Sequence, residues 1–131
     1  MVGIVLVSHS WKIAEGIKDL ALEMARGYEG IRCAAGLEDG TIGTDAVRIM
    51  EAIQDADSGD GVVVLADLGS GVISSDMAID MLEGSVKVKI ADAPIVEGAI
   101  VAAVEASIGS DFDKVIAEAE ATREFHKVEQ S

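Results

Sequence analysis

The sequence predicts an α/β fold: a three-layer, doubly wound, mostly parallel sheet of about four strands with helices on both faces. Strand-like and helix-like stretches alternate from end to end, as in parallel strands joined by helical crossovers. Two of the strand-like runs, Val2 to Val7 and Val62 to Ala66, are continuously apolar, which implies that both their faces are covered. With 131 residues, 50% of them hydrophobic, the chain has enough material for one domain, spanning 1–131, with a real core.

The elements follow in order. Residues 2–7 form the first strand. Residues 11–26 read as a helix with Ile13, Ile17, Leu20, Ala21 and Met24 on its inner face. Ile31 to Ala35 is a short second strand, and residues 36–43 form a loop rich in turn residues. Thr44 reads as the N-cap of a helix that turns Ala46, Ile49, Met50 and Ile53 inward. The turn Ser58-Gly59-Asp60-Gly61 leads into the third strand, which ends at Asp67. Leu68-Gly69-Ser70-Gly71 reads as a loop before a helix from about Ser74 to Glu83. Val86 to Ile90 alternates apolar and basic residues, as a half-exposed strand does. Pro94 opens a further helix, and Ser110 with Asp113 signals a capping box for a last one reaching about Phe125.

Strands 1 and 3 belong at the centre of the sheet. Strand 2 contains Arg32 and strand 4 alternates, so both belong at its edges. The orders 2-1-3-4 and 2-3-1-4 satisfy this, the first being the expected one, and both make strands 1 and 3 neighbours. The residues that follow them, His9 and Asp67, should therefore meet at the carboxyl edge of the sheet, where open α/β sheets bind and react.

Composition narrows the function. The net charge is −14, from 24 acidic and 10 basic residues. That argues against a nucleic-acid partner and against a preformed pocket for a free polyanion such as ATP. It suits solubility, a salty cytoplasm or the steering of a basic protein partner. No apolar run approaches the roughly 20 residues of a membrane span. The N-terminal run is too short for a signal peptide and lacks a basic start. The single Cys33 forms no internal disulfide and fits a reducing cytoplasmic location.

The chemistry centres on Ser8-His9-Ser10. A carboxylate on one imidazole nitrogen fixes the tautomer and leaves the other nitrogen's lone pair free to attack. A helix N-terminus beside the ring favours an anion there. Gly69, Ser70 and Gly71 can offer backbone N–H groups to a phosphoryl group, with Ser10 and Gly43 also near it. Each residue has an architectural reading too: His9 as a helix cap, Asp67 as a turn aspartate, the glycines as a tight turn, the segment 41–44 as a helix entry. Cys33 reads as a small core residue and His126 as a solvated tail residue.

The sequence has no Gly-x-x-x-x-Gly-Lys-[Ser/Thr] loop, no Gly-x-Gly-x-x-Gly and no Gly-x-Ser-x-Gly elbow. Its two His and one Cys are too few for a zinc or iron centre. No metal and no cofactor are expected. An activated histidine on a small acidic domain points to a relay between other proteins.

The segments 2–10, 36–44 and 66–71, with Ala93 to Ala99, resemble the phosphotransfer subunits of phosphoenolpyruvate-dependent dihydroxyacetone kinases, the DhaM family, itself related to mannose-type IIA domains. The resemblance spans essentially the whole chain. It implies a cytoplasmic homodimer in which His9 takes a phosphoryl group on Nε2 from phospho-HPr. His9 then passes it to ADP on a DhaL subunit, which serves the substrate-binding subunit DhaK, while Asp67 orients Nδ1. The chain departs from mannose-type IIA domains, which flank the histidine with Thr and Gly and carry Asp-Thr-x-Gly-Gly-Ser after strand 3. The HPr-like and enzyme I-like domains of some relatives are missing, so separate donor proteins are expected. Two alternatives stay open: a IIA component of a mannose-type sugar transporter, and a non-catalytic regulatory module.

Overall fold

The structure, a computed structural model, describes residues 1–129; the last two residues of the expected 1–131 domain lie outside them. It contains β1 (Gly3–Ser8), α1 (Trp11–Met24), β2 (Ile31–Ala35), α2 (Ala46–Ala56), β3 (Val62–Ala66), α3 (Gly69–Met81), β4 (Val88–Ile90), α4 (Ile95–Ser107) and α5 (Phe112–Ala121), with a final 3-10 turn at Thr122–Glu124. The four strands form one sheet in the order β2-β1-β3-β4, and every pairing is parallel. This is the expected 2-1-3-4 order.

Side chains alternate across the two central strands. Ile4, Leu6, Val63 and Leu65 enter one core with α1, α4 and α5. Val5, Val7, Val62 and Val64 enter the other with α2 and α3. Both faces are thus covered, which explains why these strands are apolar at every position. At Gly3 a Cβ would lie 2.3 Å from the Ala56 carbonyl oxygen, so α2 reaches the sheet only because that position has no side chain.

Several boundaries differ from the sequence reading. Helix α1 stops at Met24, and it buries Ala14, Ile17 and Ala21 while Ile13, Leu20 and Met24 stay exposed. The buried arc is centred on alanines, which let α1 pack closely. The α2 cap is Asp45, whose side chain accepts from the Val47 N–H, not Thr44. The α5 cap is Asp111 rather than Ser110, whose hydroxyl instead donates to Glu105. Strand β4 has three residues, and α5 ends at Ala121 with Phe125 exposed. The largest shift is at α3, which begins at Gly69 rather than near Ser74. The Gly69-Ser70-Gly71 segment is its first turn, not a loop.

Candidate functional site

His9 is the first residue past β1, and Asp67 the first past β3. The two strands pair Val7 with Ala66, and the Asp67 N–H donates to the Val7 carbonyl at 3.1 Å. The sheet itself therefore sets the two side chains face to face.

His9 Nδ1 lies 3.0 Å from Asp67 Oδ1. Oδ1 also accepts from the Leu68 N–H at 2.7 Å. The other oxygen, Oδ2, accepts from the His9 N–H and from the Ser8 hydroxyl, each at 3.0 Å. Four donors thus meet the four lone-pair positions of one carboxylate. Burial pushes the Asp67 carboxyl up, but the His9 backbone and ring, the Ser8 hydroxyl and the Leu68 N–H outweigh it. Together they hold the group below its ordinary 3.8, so it is an anion with a fixed orientation.

An ionised carboxylate only accepts, so Nδ1 carries the ring proton and Nε2 has the lone pair in the neutral ring. Nε2 lies 2.5 Å from the Ser70 hydroxyl, which is then the donor. The histidine side chain keeps 20% of its surface exposed against 12% for Asp67, so the ring is the more open of the pair and the carboxylate the more covered. No side chain caps the first turn of α3. The Gly71 and Val72 N–H groups already donate to the Leu68 carbonyl at 2.9 and 3.2 Å, so Gly71 is not a free donor for a phosphate. The Gly69 and Ser70 N–H groups and the positive dipole end remain beside the ring.

The backbone around His9 is clasped from the other side. Gly36 donates its N–H to Ser8 and Gly43 donates its N–H to the His9 carbonyl, at 3.1 and 2.9 Å. Gly36 has φ of 67°, and a Cβ there would lie 3.2 Å from the Thr41 carbonyl oxygen, so a glycine fits this close turn. The Gly43 N–H is committed to holding His9 and is not a free donor for a phosphate. Gly71 is buried, and a Cβ on it would lie 3.2 Å from Asp67 Oδ1, so it makes room for the carboxylate. Ser10 caps α1 without a side-chain bond and donates its N–H to the Ser8 hydroxyl at 3.1 Å.

Sequence reasoning named Ser8 beside His9 but gave it no role. It is fully buried and ties Asp67 to the start of α1 through one hydroxyl. Its signal was available: a polar residue ending an otherwise apolar strand. The link between the Thr44 and Ser74 hydroxyls, at 2.7 Å, was missed as well; it fastens the loop before α2 to α3. Cys33 and His126 lie away from this constellation: Burial first, then the nearby Glu15, raises the Cys33 thiol to about 11, and His126 is exposed in the tail. Among the described residues, no group of three or more His, Cys, Asp or Glu could hold a metal ion. No helix among them is long and apolar enough to cross a membrane.

The chain is similar to known proteins. Residues 3–116 match the family described as "PTS system fructose IIA component". The phosphoryl donor subunit DhaM of the phosphoenolpyruvate-dependent dihydroxyacetone kinase of Escherichia coli K12 is 44% identical over 124 residues. That match covers 91% of this chain and 26% of the relative, so the chain spans about a quarter of that protein's length. A DhaM of Listeria innocua is 35% identical over 120 residues, covering 90% of this chain and 96% of the relative. The crystal structure of EF1359, described as a protein of unknown function, superposes with a TM-score of 0.79 at 38% identity. It covers 92% of this chain and 93% of the other.

Proposed function

The chain belongs to the PTS system fructose IIA component family, among its DhaM phosphotransfer subunits, and on that premise we propose that His9 is a phosphoryl carrier between proteins. The observation that carries this reading is the pairing of a covered, four-fold hydrogen-bonded Asp67 with the more open His9 ring. The Nε2 lone pair attacks the phosphorus of the donor as the donor's own bond to phosphorus breaks. The Nδ1 proton stays where it is, so the phosphorylated ring is cationic and the Asp67 carboxylate faces that charge. The Ser70 hydroxyl releases Nε2 and turns to a phosphoryl oxygen, which the leading N–H groups of α3 also meet.

The donor is phospho-HPr and the acceptor is ADP on a DhaL-type subunit, which phosphorylates dihydroxyacetone on DhaK. The carrier works in the cytoplasm as a homodimer. It needs no metal and no cofactor of its own, because the donor brings an activated phosphoryl group.

Incubation with labelled phosphoenolpyruvate, enzyme I and HPr should label the wild type, with a bond that is acid-labile and base-stable, and should leave His9→Ala unlabelled. Equal labelling of the two would overturn the assignment. Membership of a family described as a fructose-system IIA component favours one second reading, a transporter IIA subunit. Transfer onward to a IIB protein rather than to a nucleotide-carrying kinase subunit would select it.

A further inference from the structure

Three side chains of the site stand in the order of a second kind of chemistry. The Asp67 carboxylate lies 3.0 Å from His9 Nδ1, and Nε2 accepts the Ser70 hydroxyl at 2.5 Å. A carboxylate behind one ring nitrogen and a serine hydroxyl on the other is the arrangement in which serine attacks acyl groups. It is recognised by contacts and roles, whatever the chain order. Ser70 is exposed, as an attacking hydroxyl must be. Ser8, just before His9 in the chain, is fully buried and gives its hydroxyl proton to Asp67 instead.

The backbone around Ser70 suits the same task. The chain has no Gly-x-Ser-x-Gly pattern, yet Leu68-Gly69-Ser70-Gly71 carries a serine across the step from β3 to α3. Glycine on either side puts no side chain beside the hydroxyl. The Gly69 and Ser70 N–H groups are the donors left over at this helix start. An oxyanion formed beside Ser70 gains from them and from the helix dipole.

A notch of about 450 Å³ adjoins Asp67 and Gly69. Leu68, Val72, Ile90 and Ala91 give it an apolar lining, to which Asp76 and Asp92 add negative charge. It has room for an acyl chain of a few carbons, and its carboxylates repel an anionic ester.

We propose that Ser70, with His9 as its base and Asp67 behind the ring, is the nucleophile of an esterase activity towards uncharged or cationic esters of short apolar acids. The Ser70 oxygen bonds to the ester carbonyl carbon as its proton moves to Nε2 and the carbonyl electron pair moves onto oxygen. Collapse restores the carbonyl, breaks the bond to the alcohol and returns the Nε2 proton to the departing oxygen. Water then repeats the sequence on the acyl-serine, releasing the acid and restoring the Ser70 hydroxyl. The reaction needs the Nε2 lone pair, so a phosphoryl group on that nitrogen switches it off. Only this last consequence rests on the carrier reading of His9.

The test uses the full chain, with 4-nitrophenyl acetate as substrate. A fluorophosphonate serves as a covalent trap, its fluoride leaving as the Ser70 oxygen bonds to phosphorus. The wild type should release nitrophenolate at least about tenfold faster than imidazole at equal concentration. Peptide mass spectrometry should find the trap on Ser70. Ser70→Ala and His9→Ala should each lose about 100-fold of the rate. The trap reads the wild type and so decides the matter whatever the stability of the variants.

Hydrolysis no faster than imidazole, or a trap absent from Ser70, would overturn the proposal. So would a Ser70→Ala variant with the wild-type rate, because His9 Nε2 would then attack the ester itself. Phosphorylation of His9 should abolish trapping, and a phosphorylated chain that still reacts at Ser70 would remove His9 as the base. A chain that takes the trap but no phosphate contradicts the carrier reading alone. One that takes phosphate at His9 but no trap contradicts the esterase alone.

Discussion

Asp67→Asn tests the site at its orienting group, because it preserves shape while replacing one acceptor oxygen with a donor. The carboxylate accepts from His9 Nδ1 and the Leu68 N–H on one oxygen, and from the His9 N–H and the Ser8 hydroxyl on the other. An amide can satisfy only one of these pairs. With its oxygen at the Oδ1 place, the NH2 group points at the His9 N–H. With its oxygen at the Oδ2 place, the NH2 group points at the Leu68 N–H, and the ring must move its proton to Nε2 to accept at Nδ1. One backbone donor is left unmet either way.

The unmet donor, with the loss of charge from the remaining bonds, costs about 2–4 kcal/mol of stability for a group that is mostly covered. In transfer, a neutral amide replaces the carboxylate that faces the cationic phosphorylated ring. That loss of about 1.5–3 kcal/mol slows the step by roughly 10- to 150-fold. Single-turnover transfer from phospho-HPr reads the rate, and urea unfolding reads the stability. A variant that transfers within about threefold of wild type would refute the argument that Asp67 fixes the ring and balances its charge.

Other expectations follow from the same geometry. The Asp67 carboxyl is held below its ordinary 3.8, so its contribution to stability is present above that pH and is lost as pH falls through the lower folded value; the gap between wild type and Asp67→Asn should shrink in acid titration. Tyr28, the only tyrosine, is buried and donates its hydroxyl to the Val2 carbonyl, and burial raises it from 10.0 to about 12 despite the opposing effect of Arg32. Its neutral form therefore stabilises the fold up to the unfolded value and loses that effect as pH rises through about 12; an ultraviolet titration of the native protein with a phenolate midpoint near 10 would contradict this. Gly3→Ala should lower stability by roughly 2–4 kcal/mol in thermal or urea unfolding, because its Cβ meets the Ala56 backbone rather than a movable side chain. Gly71→Ala should keep the fold but slow transfer, since its Cβ presses on Asp67 Oδ1; an unchanged transfer rate would mean that the carboxylate tolerates displacement.

The central strands were legible because every position of Val62–Ala66 and nearly every position of Gly3–Ser8 is apolar, and only a doubly covered strand needs that. Their adjacency then brought His9 and Asp67 together, as the sequence reading expected. The start of α3 was not legible in the same way. Gly69-Ser70-Gly71 reads as a turn by propensity, yet Gly71 is helical and small because the Asp67 carboxylate sits against it. The fault in α1 was rotational: Ile13, Leu20 and Met24 outweigh Ala14 and Ala21 in any hydrophobic periodicity, while close packing selects the alanines. Both misplaced caps, at Asp45 and Asp111, are single-residue errors between adjacent residues that can each cap a helix, Asp being the stronger cap beside Thr44 and an equal one beside Ser110. Ser8 was hidden because its importance lies in a hydrogen bond across the sheet, to a residue 59 positions away.

The central claim concerns one atom. Phosphorus-to-proton correlation NMR on the protein after incubation with phosphoenolpyruvate, enzyme I and HPr locates the bound phosphorus directly. Coupling of one phosphorus to the ring protons of His9 in the pattern of an Nε2 phosphoramidate, with Nδ1 still protonated, is the predicted result. Phosphorus on Nδ1, on His126 or on an aspartate would contradict it.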